Sequence, residues 1–204
     1  MTFTCGTSNE TGTCPCDNPV WDYSVFTKTV ATKYGMICEK ALYVSYSESI
    51  LYFGLLIGAI VCGSLADRYG RLMLYATCQL IIGVAGCLVS FAPSFAIFCV
   101  MRFIEGFGSG GAIVTGFVLS VEYCGSSFRS SVSAFVHIAG NTGLIVMAGI
   151  SYLLRDCDQF QLAISVPVMA FFFMKFILLE SPKWLMDRNR TEEAVKVMEK
   201  FCRL

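Results

Sequence analysis

Five apolar runs constrain this chain more than anything else in it. Each is close to the roughly 20 residues that an α-helix needs to cross about 30 Å of hydrocarbon. The first extends from about Tyr46 to Ala66 and stops at Asp67-Arg68; the second extends from Leu72 to about Phe91, where Ala92-Pro93-Ser94 supplies a turn. The third covers Phe95 to about Val121 with Arg102 and Glu105 inside it, and the fourth covers about Val132 to Leu154, closed by Arg155-Asp156. The fifth covers about Phe160 to Leu179 and ends at Glu180-Ser181-Pro182. A content of 55% hydrophobic and 15% charged residues in 204 is too apolar for a soluble domain. The expectation is an all-α integral membrane bundle of about five transmembrane helices over residues 46–185. Residues 1–45 form an extracellular loop segment before it, and residues 186–204 a cytoplasmic amphipathic helix after it.

Orientation follows from the basic residues of short loops. Connections on one side hold Arg68, Arg71, Arg129, Lys183, Arg188 and Arg190; the other side holds Arg155 and, further from the bundle, Lys28, Lys33 and Lys40. The Arg-rich side is therefore assigned to the cytoplasm and the amino-terminal segment to the outside. Asn9-Glu10-Thr11 is then a usable glycosylation sequon at Asn9, whereas Asn189-Arg190-Thr191 faces the cytosol. Met1 to Ser8 lacks the basic start and apolar stretch of a secretory signal, so a chain of five spans that begins outside points to a further segment upstream. In residues 191–204, Ala194, Val195, Met198, Phe201 and Cys202 share one helical face, and Thr191 suits an N-cap.

Lys plus Arg equals Asp plus Glu at 15 each, so no global charge favours nucleic acid. Of the 11 cysteines, Cys5, Cys14, Cys16 and Cys38 precede the first run and are disulfide candidates; three pairings are open to them. Cys62, Cys78, Cys87 and Cys99 lie inside apolar runs and behave as small hydrophobes. Cys14-Pro15-Cys16 lacks the further ligands of a zinc site nearby, so no metal is expected. No nucleophile–histidine–carboxylate set is apparent, which argues against an enzyme reading, and no cofactor is expected. A receptor reading rests on Asp67-Arg68-Tyr69 alone, and Gly70-Arg71 immediately after it argues against that.

The loop Gly63-Ser64-Leu65-Ala66-Asp67-Arg68-Tyr69-Gly70-Arg71 carries the most specific signal. Gly63 admits a close helix and Gly70 a tight reversal; Asp67 can face a positive helix N-terminus and Arg71 can pair with a carboxylate. A loop selected only for positive charge explains the arginines but not these glycines and the aspartate. The loop resembles the signature between the second and third helices of the major facilitator superfamily, with Leu72 where a further basic residue is common. Glu122 with Arg129, seven residues on, and Glu180-Ser181-Pro182-Lys183-Trp184-Leu185 resemble the cytoplasmic ion-pair set of its sugar-porter and organic-ion branches. That resemblance implies a conformational gate formed by Gly63, Asp67, Arg68, Gly70, Arg71, Glu122, Arg129, Glu180, Ser181 and Pro182.

Trp21-Asp22-Tyr23-Ser24-Val25-Phe26 and Thr32-Lys33-Tyr34-Gly35-Met36-Ile37-Cys38 narrow the likeness. They resemble the end of the large extracellular loop of the organic cation, carnitine and organic anion transporters. The likeness covers Trp21 to the carboxyl terminus. It makes the five spans helices two to six of the N-terminal half of a major facilitator fold, with helix one and helices seven to twelve absent.

Polar groups inside spans usually face a cavity or the bundle interior, because burial of charge in lipid costs several kcal/mol. Arg102 and Glu105, one turn apart, form either a packing ion pair or a substrate or proton site. Ile113 and Phe117 share a face where relatives line their pocket with aromatics, and only Phe117 keeps that character. His137 and Asn141, an i, i+4 pair, complete the pocket candidates, against a structural role for the histidine. Gly106, Gly108, Gly110 and Gly111 read as a close-packing face rather than a phosphate loop, and Lys175 as snorkelling toward Glu180. The expected function is transport of small organic ions or zwitterions by alternating access across the plasma membrane. The partners would be the lipid bilayer and a second transporter half or partner chain. The alternative is a non-transporting membrane interaction protein, or a truncated isoform, derived from such a transporter.

Overall fold

The computed structural model describes residues 3–5, 8–11, 19–21, 27–123, 128–176, 180–188, 191, 192 and 195; the side chains of 1–26, Arg129, Met174, Phe176 and Asp187 are not among what it describes. Short strands β1 (Phe3–Cys5), β2 (Ser8–Thr11) and β3 (Pro19–Trp21) form an antiparallel sheet in the order β2-β1-β3, a departure from an all-helical chain confined to the amino-terminal segment. Helix α1 (Val30–Lys33) follows, and a 3-10 turn (Cys38–Ala41) leads into α2 (Leu42–Tyr69). Then come α3 (Arg71–Ser90), α4 (Phe95–Tyr123), α5 (Arg129–Leu153), α6 (Cys157–Ala170) and α7 (Pro182–Asp187).

Helices α2, α3, α4 and α5 are long and apolar enough to span a membrane. The fifth expected span differs: α6 carries Pro167 inside it and passes at Phe171 into a 3-10 helix that extends to Phe176. A 3-10 helix rises further per residue, so 14 α-helical and six 3-10 residues still reach about 33 Å. Of the expected helix over 191–204, Thr191, Glu192 and Val195 are helical and the rest lies outside the described residues.

In lipid the hydrophobic effect does not drive helices together, so close packing has to. The buried positions of α2 are Ser47, Gly54, Gly58, Cys62 and Ala66, a stripe of small residues one turn apart from Gly54 onward. Side chains built on Gly54 and Gly58 would run into the Phe103 and Phe107 carbonyls of α4, and side chains on Gly106 and Gly110 of α4 into those of Leu51 and Leu55 of α2. The two backbones therefore touch along reciprocal glycine pairs. Gly108 and Gly111 bring α3 against α4, and Gly83 and Gly86 bring α6 against α3. Helix α5 has no buried residue across its apolar span, and Gly140, Gly143 and Gly149 meet nothing within 4 Å.

Residues 27–36 strap the end of the bundle opposite the Arg-rich loops. The Thr27 amide donates to the Arg155 carbonyl at 3.2 Å, and the Cys157 amide to the Lys28 carbonyl at 3.1 Å. Lys28 and Lys33 each reach Asp158 at 2.7 Å, and Lys33 also donates to the Ser90 carbonyl at 2.9 Å. The Tyr34 hydroxyl donates to the Ala92 carbonyl at 3.0 Å while its ring packs on Phe95 and Phe98. One short segment thus ties the α3–α4 turn to the α5–α6 turn. The hydrogen bond to Asp158 raises Lys28 above the ordinary lysine value of 10.5. Its contribution is complete below that value and fades only as pH climbs through the raised one.

Two outcomes are expected. Gly110→Ala costs at least the about 1–3 kcal/mol of an overpacked core, whereas Gly143→Ala is neutral or stabilises by up to about 1 kcal/mol; thermal unfolding in detergent measures both. Asp158→Ala removes the acceptor shared by two lysines and speeds amide hydrogen exchange over residues 27–34, with exchange in the centre of α4 unchanged.

Candidate functional site

At the Arg-rich end, the close of α2 and the start of α3 share Gly70, whose φ of 109° is one that side chains rarely adopt. A Cβ there would also stand 3.0 Å from Glu180 Oε2, so glycine both turns the chain and admits that carboxylate. Glu180 Oε1 accepts the Leu72 amide at 2.8 Å, which places a negative charge on the orphan donors at the start of α3. The sequence offered Asp67 for such a role. Instead Asp67 is largely exposed and, among the described residues, reaches Arg71 at 3.4 Å, while the Glu180 carboxylate holds the α3 N-terminus.

Arg71 forms an ion pair with Glu122 of α4, whose side chain is 5% exposed. The Ser181 hydroxyl donates to the other Glu122 oxygen at 2.7 Å and accepts the Trp184 amide, capping α7 with Pro182 in the first turn. From α7, Trp184 Nε1 donates to the Asp67 carbonyl at 3.0 Å, and Arg188 donates to the Asp67 and Arg68 carbonyls. These donors satisfy terminal carbonyls of α2 with positive charge at its negative end. Arg71, Glu122, Glu180 and Ser181 are thus brought into one network that joins α2, α3, α4 and α7 of this chain. Gly63 stands one turn before, with only Val114 near it at 3.9 Å. Arg68 is exposed at the edge, and the Arg129 side chain lies outside the described residues.

Beside this network lies a cavity of about 1040 Å³, open to one side and bounded by α3, α4, α5 and the 3-10 helix. Ile113, Phe117 and His137 line it. Tyr75 and Gln79 from α3, Ser109, Ser120 and Tyr123 from α4, and Phe171 join them without having been anticipated. Tyr75 and Gln79 are polar groups one turn apart inside an apolar run, the same signal that singled out His137 and Asn141. Asn141 is exposed on α5 and does not line the cavity.

Arg102 and Glu105 do not line the cavity either. They pair at 3.3 Å, Arg102 sits 5.2 Å from the Phe98 ring, and Glu105 accepts from Gln161 Nε2 of α6 at 2.8 Å. The pair therefore works as a tie between α4 and α6. Lys175 lies over the Phe172 ring at 4.2 Å. Cys38 is disulfide-bonded. Cys5 and Asn9 fall on β1 and β2, whose side chains are not described, and Cys14 and Cys16 lie outside the described residues. Among the described residues no three histidine, cysteine or acidic groups gather in a way that would hold a metal.

The geometry has close counterparts in known proteins. Solute carrier family 22 member 3 of Rattus norvegicus is 33% identical over 189 residues, 93% of this chain and 34% of that protein. Solute carrier family 22 member 11 of Homo sapiens is 34% identical over 197 residues, 96% of this chain and 36% of that protein. The chain thus spans about a third of the length of the curated relatives it matches. Among solved structures, the proton:xylose symporter XylE, of the major facilitator superfamily, superposes with a TM-score of 0.69 at 20% identity, covering 79% of this chain and 40% of that one. A partially occluded inward-open form of XylE from E. coli gives 0.68, again at 20% identity, over 80% of this chain and 45% of that one. Those superpositions give the fold, the N-terminal half of a major facilitator bundle. A family model described as sugar (and other) transporter matches residues 14–203, so the chain is a multi-pass membrane protein that belongs to the sugar (and other) transporter family.

Proposed function

We infer that this chain is the cavity-bearing N-terminal part of a plasma-membrane transporter for small organic ions or zwitterions, working by alternating access. The observation that carries the reading is the cavity itself. Tyr75, Phe117, Tyr123 and Phe171 give it aromatic faces, and Gln79 and His137 give it hydrogen-bonding groups. Aromatic faces attract organic cations and flat apolar bodies alike, and a few polar groups fix their orientation. The Arg-rich end lies on the cytoplasmic side in this reading, and residues 1–45 lie outside with a glycan on Asn9. The bundle occupies 46–185, and 186–204 lies on the inner surface.

The network of Arg71, Glu122, Glu180 and Ser181 serves as the fixed part of the cytoplasmic gate. It keeps the ends of α2, α3 and α4 together as one rigid unit, while the exposed Asp67 and Arg68 face the other half of the transporter. Rocking of one rigid half against another around a midplane site is the motion that alternating access needs. A second reading, a membrane interaction protein that does not transport, draws support from α5, whose apolar window holds no buried residue.

Uptake of a radiolabelled organic cation and a radiolabelled organic anion separates the two readings, with the chain expressed alone and joined to the remaining helices of a longer transcript. Uptake of neither substrate in any arrangement would sink the transport reading. In the transporting form, Tyr75→Ala and Phe117→Ala each raise KM by about 5–30-fold, the equivalent of about 1–2 kcal/mol of aromatic contact. Ile145→Ala on the outer face of α5 leaves KM unchanged. For the gate, Arg71→Ala costs about 3–5 kcal/mol because it strands a buried carboxylate, and adding Glu122→Ala recovers most of that loss. Unfolding midpoints in detergent give the cycle; a loss in the double variant equal to the sum of the two single losses would show that the pair does not act as a unit.

A further inference from the structure

A second cavity lies beside the strap, at the end of the bundle opposite the gate, and neither the gate nor the large cavity uses it. Two backbone hydrogen bonds frame it, from Thr27 to the Arg155 carbonyl at 3.2 Å and from Cys157 to the Lys28 carbonyl at 3.1 Å. They hold the strap and the α5–α6 turn side by side as a short parallel bridge. The space enclosed is about 210 Å³. Val30, Leu154 and Phe160 give it apolar walls, with Cys157 among them, and the charged side chains that line it are Lys28 and Arg155. The Lys28 side chain is 44% exposed and Arg155 is exposed, so both cations stand where the cavity opens to solvent.

Charge and size narrow what fits there. Asp158 is a single carboxylate shared by Lys28 and Lys33, each at 2.7 Å, and an ammonium that meets one acceptor keeps further donors. Arg155 has no ion-pair partner among the described residues, although its planar fork suits a carboxylate. Asp156, the next residue, does not line the cavity. Lys28, Lys33 and Arg155 thus outnumber Asp156 and Asp158, and the strap end is left positive. Pockets for drug-sized ligands begin at about 300 Å³, so a smaller cavity admits one ring or a short chain behind one anionic group. A sugar would set its hydroxyls against Val30, Leu154 and Phe160, and a bare inorganic anion would leave those walls uncovered.

We propose that this cavity is a binding site for small amphipathic monocarboxylates, separate from the large cavity, whose occupant clasps the strap to the α5–α6 turn. The carboxylate pairs with Arg155 and Lys28, and its ring or alkyl chain lies against Val30, Leu154 and Phe160. Lys28 belongs to the strap and Arg155 to the turn, so one ligand joins both segments. Occupancy therefore tightens the tie that already runs from the α3–α4 turn to the α5–α6 turn.

Benzoate tests this on the intact chain in lipid nanodiscs, with ionic strength held constant by sodium chloride and amide hydrogen exchange as the readout. For a Kd of about 1 mM, about 10 mM benzoate slows exchange over residues 27–34 and 155–160 by about tenfold. Exchange in the centre of α4 stays as it was. Benzamide, the neutral counterpart, gives no slowing. In the unmodified chain, alkylation of Cys157 by N-ethylmaleimide also falls with benzoate and not with benzamide. Arg155→Gln keeps the backbone carbonyl that holds Thr27 and loses the response to benzoate, whereas Arg155→Lys keeps part of it. Phe117→Ala, in the large cavity, leaves the response intact, so this site stands or falls apart from the transport reading. Unchanged exchange with benzoate, equal slowing by benzamide, full slowing in Arg155→Gln, or its loss in Phe117→Ala would overturn the site.

Discussion

The contact between α2 and α4 is the constraint on which the other packing depends. Lipid tails are as apolar as leucine, so helices in a bilayer gain little from hiding apolar side chains against each other. They gain instead from close backbone approach, and Gly54 and Gly58 facing Gly106 and Gly110 allow it. With α4 fixed, Gly108 and Gly111 admit α3, and Gly83 and Gly86 on the far side of α3 admit α6. Each glycine has a backbone or side chain of another helix where its own side chain would be. The order of the bundle, α2 against α4 against α3 against α6, follows from where those glycines fall.

Polar groups act at the two ends, where water and headgroups make charge affordable, and at one point between. Opposite the Arg-rich loops, Asp158 draws in Lys28 and Lys33 and strands no charge. At the Arg-rich end, Glu122 is buried with Arg71 and Ser181 around it, and Glu180 caps α3. Between them, Glu105 ties α4 to α6 through Gln161 and is neutralised by Arg102. Buried ion pairs add little net stability over apolar packing, yet losing one partner is costly. Such pairs therefore hold helix ends in one register. The centre is left to the cavity, which among the described residues is lined by no Asp, Glu, Lys or Arg.

Much of this was visible in the residues alone, and the exceptions have physical causes. The charged and turn residues after each apolar run set helix ends at Tyr69, Ser90, Tyr123 and Leu153, each within three residues of its expected place. The fifth run was read as one continuous span because hydropathy does not register the change to 3-10 geometry after Pro167. Asp67, Arg71, Glu122 and Glu180 stood out through the resemblance of their motifs, but Glu180 rather than Asp67 reaches the α3 N-terminus. Which carboxylate reaches a helix end depends on a chain reversal 108 residues away. Arg102 and Glu105 stood out as charge in lipid, and Gln161, the residue that decides what they do, is an ordinary glutamine in the sequence.

The sequence by itself determined a membrane bundle, its spans and the ends that bear charge, because hydropathy and charge act over neighbouring residues and need no partner. It also marked the glycines of α4, since small residues one turn apart are a local pattern. Only the tertiary structure decided which carboxylate caps α3, that Tyr75 and Gln79 share a cavity with Phe117 and His137, and that Cys62 meets Cys78. Those are contacts between helices, and the rotation and register that produce them are set by packing along the whole bundle rather than by any one segment.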